Sequence, residues 1–302
     1  MLLTFFHILF TVILPIFILI FIGVVFDRAF KPDMDTLSKL NFYVFVPAIV
    51  FIKIIDAQIA LTEMGIVGIF NLAHFFIIFG VASLIFSLKR FRENRTTLSM
   101  ASAWYNAGNY GIPLIVFAFG DAYMDIIAVV LLVQNLLTFS FGLWLMERGS
   151  KPLKEILKGL LKVPVIYAVL FGILLKAFEL DVIPQIKEPL NYLSDGVIPI
   201  ALVTLGAKLS RIKLSKDFTR VLIVIIIRLA VSPVVAILLI IAFPITGVEA
   251  AVVIVLSGTP VAVNIYVLAE EYKKGQDLAS QAVFWTTIMS VVSISLLLSF
   301  FG

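Results

Sequence analysis

Ten long apolar runs follow one another along this chain, and nothing constrains its fold more. They cover 5–26, 38–55, 64–88, 97–119, 124–146, 163–180, 188–208, 218–243, 248–269 and 278–300. Each is close to the roughly 20 residues a helix needs to cross a hydrocarbon core of about 30 Å. The runs are continuously apolar, not alternating with period two, which selects helices over a membrane β-barrel. Hydrophobic residues make up 62% of the chain and charged residues 14%, against about 45–50% and about 25% in soluble domains. The expected fold is therefore an all-α polytopic membrane protein embedded in a lipid bilayer. The opening segment, with no basic flank and no small-residue cleavage site, is expected to stay as the first span. The chain has no Cys, which excludes disulfides, thiolate chemistry and Cys-metal sites.

The basic residues sort by loop. Loops after odd-numbered spans and their flanks hold 19 of the 23: Arg28, Lys31, Lys39, Lys89, Arg90, Arg92, Arg95, Arg148, Lys151, Lys154, Lys158, Lys162, Lys208, Arg211, Lys213, Lys216, Arg220, Lys273 and Lys274. The even loops hold Lys53, Lys176 and Lys187, and Arg228 falls within a span. The positive-inside rule then puts the odd loops in the cytoplasm and both termini outside, with the plasma membrane as the expected location. The net charge of +4 is a topology signal of this kind, and no nucleic-acid partner is expected.

The spans also repeat. Gly111-Ile-Pro113 recurs as Gly258-Thr-Pro260 after 147 residues, Pro47 as Pro199 after 152, and Gly23 as Gly172 after 149. Such offsets predict two five-helix halves, 1–147 and 163–302, joined by a short cytoplasmic linker, 148–162. An odd number of helices per half inverts one half relative to the other. Inverted repeats with paired interrupted helices point to a secondary transporter.

The interruptions fall in spans four and nine. Pro113 lacks an N–H and crowds the preceding turn, so the ladder is expected to open between about Asn109 and Pro113, helped by Gly111. Asn106 and Asn109 can serve the freed backbone groups and still face a ligand. Span nine repeats the design with Ser257, Gly258 and Thr259 before Pro260, then Asn264. A proline suits the first position of an outgoing half-helix. Two half-helix N-termini aimed at the membrane centre favour an anion, while the carbonyl ends of the incoming halves favour a cation. An anion with a coupling cation would satisfy both.

Other polar residues within spans carry two readings each. Asn135 and Thr138 share one face of span five, and Thr286 and Ser290 one face of span ten. They either glue helices together or line the path. Asp195, a turn from Pro199, is either a proton or cation site or a packing hydrogen bond. Arg228 either attracts a substrate carboxylate or satisfies carbonyls of broken span nine. His74 reads as structural.

Several segments together resemble the auxin efflux carrier family, which includes bacterial malonate-permease-like proteins and the plant PIN auxin carriers. They are FVPAIVF at 45–51, NAGNYGIPL at 106–114, IPIALVTLGAKL at 198–209, SGTPVAVNIYVLAEEY at 257–272 and FWTTIMSVVSISL at 284–296. The resemblance implies ten transmembrane helices in two inverted five-helix repeats, in plan like the bile-acid sodium symporters. Helices four and nine would be interrupted and cross at Pro113 and Pro260. Spans one, two, six and seven would form a scaffold, and the rest a transport domain moving as an elevator. The implied substrate is a small organic anion held near the crossover, with Asn106 standing where the plant carriers contact substrate. A homodimer is compatible with the analogy. The linker of about sixteen residues and Asn264 depart from the plant pattern, and these departures point to a carboxylate smaller than auxin.

The expected function is thus a carrier for a small mono- or dicarboxylate, using no cofactor, with sodium or protons as candidate coupling ions. A sodium-coupled symporter of another solute and a channel are the competing readings. An enzyme is not expected: neither HExxH nor GxSxG occurs, and no P-loop is present to use ATP.

Overall fold

The computed structural model describes residues 2–57, 60–147, 159, 161–212 and 218–301. Arg148, Lys151, Lys154 and Lys158, with most of the 148–162 linker, lie outside the described residues, as do Lys213 and Lys216. Twelve helical runs follow among the described residues: α1 Leu2–Phe30, α2 Met34–Ile55, α3 Leu61–Ile85, α4 Arg95–Ala103, α5 Ala107–Phe119 and α6 Asp121–Met146. The rest are α7 Pro164–Ala177, α8 Pro184–Ser210, α9 Phe218–Ile240, α10 Gly247–Ser257, α11 Val263–Glu271 and α12 Gln276–Leu298. An isolated antiparallel bridge, Tyr105 with Val261, is the only extended pairing among them. Seven runs are long and apolar enough to cross a membrane: α1, α2, α3, α6, α8, α9 and α12. The apolar helices α5, α7 and α10 are shorter.

Helix is the form these residues must take in lipid, because it satisfies each backbone group within its own segment. The polar punctuation is local. Asp33 starts α2, its carboxylate accepting from Asp35 N at 3.3 Å and Thr36 N at 3.1 Å. The Thr36 hydroxyl and then these amides hold the Asp33 carboxyl below its ordinary range. Glu63 accepts from Ala60 N at 2.8 Å where α3 begins.

The prolines do not break the helices they sit in. Five π-turns occur among the described residues, and four end two residues before a proline: Leu9–Ile13 before Pro15, Asn41–Phe45 before Pro47, Ala107–Gly111 before Pro113 and Ile227–Val231 before Pro233. One widened turn moves the carbonyl that the ring would strike and absorbs the missing N–H. The fifth, Thr138–Gly142, has Thr138 and Ser140 hydroxyls donating back to Gln134 O at 2.7 Å and Leu136 O at 2.5 Å.

Packing gathers the helices into two groups. One unites α1 with α8 and α2 with α7 and α8; the other unites α3, α4, α6, α9, α10, α11 and α12, and α5 packs between them against α1, α6, α8 and α10. In the first group backbones nearly touch. A Cβ on Gly206 would lie 1.8 Å from Ile20 O, and one on Gly23 would lie 2.1 Å from Val203 O. Only glycine lets α1 and α8 approach so closely. Gly172 makes the matching contact of α7 with α2, where a Cβ would meet Ile54 Cγ2 at 2.8 Å. In the second group Trp104 is fully buried, its ring edge-on to Phe75 at 4.5 Å and stacked on Phe141 at 6.2 Å.

Candidate functional site

The site begins where two helices stop. α4 ends at Ala103 and the chain runs extended through Trp104–Asn106; α10 ends at Ser257 and the chain turns, then runs extended to Ala262. The two stretches pair with each other. Asn106 N donates to Pro260 O at 2.8 Å, and Ala262 N donates to Trp104 O at 3.0 Å. Val261 N donates to Thr286 Oγ1 at 3.1 Å. Each break thus satisfies backbone groups that the other frees, which explains how two breaks persist at one buried place.

Two expectations about the prolines need correction. The opening in the first helix lies at Trp104–Asn106, a turn ahead of the expected Asn109–Pro113, because the π-turn accommodates Pro113 without a break. Pro260 stands inside the extended stretch, not at the head of the outgoing helix, which starts at Val263. There its missing N–H needs no partner, while its carbonyl serves Asn106. Asn106, not proline, caps the outgoing helix α5, its Oδ1 accepting from Asn109 N at 3.1 Å.

A cavity of about 90 Å³ opens beside the junction. With about 30 Å³ for each water in the liquid, it has room for a few waters or one small acid. The two breaks contribute Trp104–Asn109 and Ala262–Asn264, α6 contributes Gln134, Asn135 and Thr138, and α2 and α8 contribute Asn41, Thr204 and Lys208. Five lining residues each carry a buried polar atom without a hydrogen-bond partner: Asn41 Oδ1, Trp104 Nε1, Asn106 Nδ2, Gln134 Oε1 and Thr204 Oγ1. Unpaired polar atoms are costly when buried, and these five belong to residues gathered around one cavity. Lys208 is half-buried and forms no ion pair among the described residues. Asn109 holds Asn41 by accepting from its Nδ2 at 3.0 Å.

The sequence candidates divide around this cavity. Asn106, Asn109, Asn135, Thr138 and Asn264 line it, with Asn264 exposed at its lip. Gly111 and Pro113 are buried outside the lining; a Cβ on Gly111 would meet Leu256 Cδ2 at 2.9 Å. Ser257, Gly258, Thr259 and Pro260 also lie outside the lining and shape the junction itself. Thr286 and Ser290 do not line the cavity either. Thr286 receives Val261 N, and Ser290 donates to Tyr110 OH at 2.9 Å, so both brace the broken helices. Asp195 is exposed and away from the cavity, because the turn of α8 that carries it points outward. Asn41, Gln134, Thr204 and Lys208 were missed. In the sequence Lys208 groups with the basic loop charges, and Asn41, six residues before Pro47, is the one amide side chain that the proline could flag.

Arg228 lies fully buried on the other side of the junction. Its Nη1 donates to Ser102 O at 2.9 Å and Ala103 O at 3.1 Å, and its Nη2 donates to Ser257 O and Ser232 Oγ. Its guanidinium carbon sits 5.2 Å from the centre of the Tyr105 ring. Ser232 Oγ also donates to Ser257 O at 2.7 Å, and His74 Nε2 lies 3.0 Å from Ser232 O. Of the two readings of Arg228, carbonyl satisfaction fits these contacts. The same contacts give His74 a structural place.

Comparison with known proteins agrees with this architecture. A family model described as "Membrane transport protein" matches residues 7–298. An uncharacterized transporter of Methanocaldococcus jannaschii is 28% identical over 94% of this chain and 96% of its own length. An uncharacterized transporter of Methanothermobacter thermautotrophicus is 25% identical over 88% of each chain. A Rhizobium meliloti protein named "Putative malonate transporter" is 24% identical over 95% of this chain and 93% of its own. With its apolar helices, this protein is a multi-pass membrane protein. The chain belongs to the membrane transport protein family of the auxin efflux carriers, as the motifs of its two broken helices implied.

Proposed function

We propose that this protein is a secondary carrier for a small organic anion, a short mono- or dicarboxylate. The observation that carries the reading is the cavity at the junction. Its lining residues include Asn106 and Trp104, each with a buried donor left unpaired, and Lys208, which brings an ammonium. Donors and one positive charge suit a carboxylate. The unpaired acceptors Asn41 Oδ1 and Gln134 Oε1 suit a hydroxyl or a second, protonated carboxyl. The name of the Rhizobium relative, a malonate transporter, supports the same class.

In this reading the three shorter apolar helices complete ten crossings, and 1–147 and 163–302 form two inverted halves. The matching contacts of Gly23 with α8 and Gly172 with α2 support that symmetry. The group α1, α2, α7 and α8 is the scaffold, and the other group carries the broken helices as an elevator. The cavity draws walls from both groups, as a site that rides one against the other must. Ser38 and Lys208 lie near the ends of their helices that adjoin basic loops, which supports reading the cavity as facing the cytoplasm of a plasma-membrane carrier with both termini outside.

Thermal melting of the purified protein against a panel of mono- and dicarboxylates tests the substrate. An acid at about 100 times its dissociation constant stabilises by about 2.7 kcal/mol. The expected result is a shift with one acid that vanishes in Asn106→Ala. No shift with any acid would sink the organic-anion reading. Counterflow in proteoliposomes separates carrier from channel, since a fixed pore gives no accelerated exchange.

A further inference from the structure

We infer that Arg228 is the resident cation of the helix junction, occupying the carbonyl cluster where a sodium ion would otherwise bind. The inference is independent of the substrate. The incoming helices α4 and α10 both end at this point, and the C-terminus of a helix carries partial negative charge on unsatisfied carbonyls. Two such ends brought together inside a membrane protein need a positive charge between them. A sodium ion could supply it, since unwound carbonyls and half-helix C-terminal ends can coordinate one.

Here the oxygens are already taken. Ser102 O, Ala103 O and Ser257 O each accept from the guanidinium, and Ser232 Oγ receives the same Nη2 that serves Ser257. These contacts bridge both helix ends with one planar group. No carboxylate takes part among the described residues, so nothing neutralises the charge locally except the carbonyls and the Tyr105 ring face. Arginine keeps its proton in proteins, so the charge is permanent. The residue also sits in the π-turn Ile227–Val231 before Pro233, and is wholly buried. A sodium ion at this point would have to displace a tethered cation from the same ligands. The donor set does not fit a bound sodium, and the junction is held without one.

The test reads the junction, not transport. The full-length protein is melted in sodium, potassium and choline chloride at matched ionic strength, with no organic acid present. Coincident transitions in the three salts are expected; a stabilisation specific to sodium overturns the inference. Arg228→Lys and Arg228→Met are melted alongside. The inference expects the lysine variant, which keeps a charge, to melt clearly above the neutral methionine variant. It also expects ethylguanidinium to raise the melting of Arg228→Ala and not that of the wild type. Equal melting of the lysine and methionine variants would show that the charge is irrelevant and would overturn it. Where substitution leaves no folded protein, the three-salt comparison on the wild type decides alone. Because no acid is present, failure here is distinct from failure of the anion cavity.

Discussion

The two sides of the helix junction are built from the same kinds of atoms and treat them in opposite ways. On the Arg228 side, three backbone carbonyls and the Ser232 hydroxyl accept from one buried guanidinium, of which Nε alone is left unpaired. On the cavity side, Asn106, Trp104, Thr204, Asn41 and Gln134 each keep a buried polar atom unpaired. One side thus joins two helix ends, while the other lines a cavity. A buried polar group left without a partner is tolerated where something else is meant to satisfy it.

Substitutions can break this contrast. Arg228→Ala should have the largest effect, because it strands several buried carbonyls at two helix ends. Removing one member of a buried charged network costs roughly 3–5 kcal/mol, and melting should fall accordingly whether or not substrate is present. Asn106→Ala should act mainly on the ligand. Losing a hydrogen bond to a charged group costs about 1.5–3 kcal/mol, or roughly ten- to a hundredfold in affinity. Loss of its cap on Asn109 N should lower melting by only about 0.5–2 kcal/mol.

Thr286→Val sharpens the distinction between bracing and lining. It leaves Val261 N without its acceptor, at a cost of about 1–3 kcal/mol in stability, with ligand affinity little changed. Lys208→Met should do the reverse: melting without ligand holds, while affinity for the anion falls about tenfold, or about 1.4 kcal/mol. Titration calorimetry and melting on the same samples separate these two. Asp195→Asn should have the smallest effect, since Asp195 is exposed and outside the cavity; unchanged affinity between pH 5 and 8 is expected. A pH-dependent loss of affinity there would return Asp195 to the site.

Much of this molecule was readable in its residues. The apolar runs set the membrane class, and the NAGNYGIPL and SGTPVAVN segments marked both interruptions to within about a turn. The sequence also singled out Asn106, Asn109 and Asn264, which the structure gathers around one cavity, because amides beside a helix break have few other uses in lipid. The position of the break at Trp104–Asn106 was not, since proline propensity points to Pro113 and the extended stretch is held by hydrogen bonds to a segment some 150 residues away. Thr286 and Ser290 looked like path residues for the same reason: periodicity gives the face of a helix, not what that face meets.

The sequence by itself determined the solvent of this chain, its helical state, its charge asymmetry and the approximate places where helices yield. All of these follow from local composition, because hydrocarbon punishes every unsatisfied backbone group wherever it lies. The tertiary structure decided which side of the junction holds the guanidinium and which lines the cavity. It turned Lys208 from an apparent loop charge into part of a cavity wall, set Arg228 on the carbonyls of two distant helix ends, and left Asp195 outside. Those outcomes depend on how helices rotate and pair in space, and packing between remote segments, not local preference, fixes both.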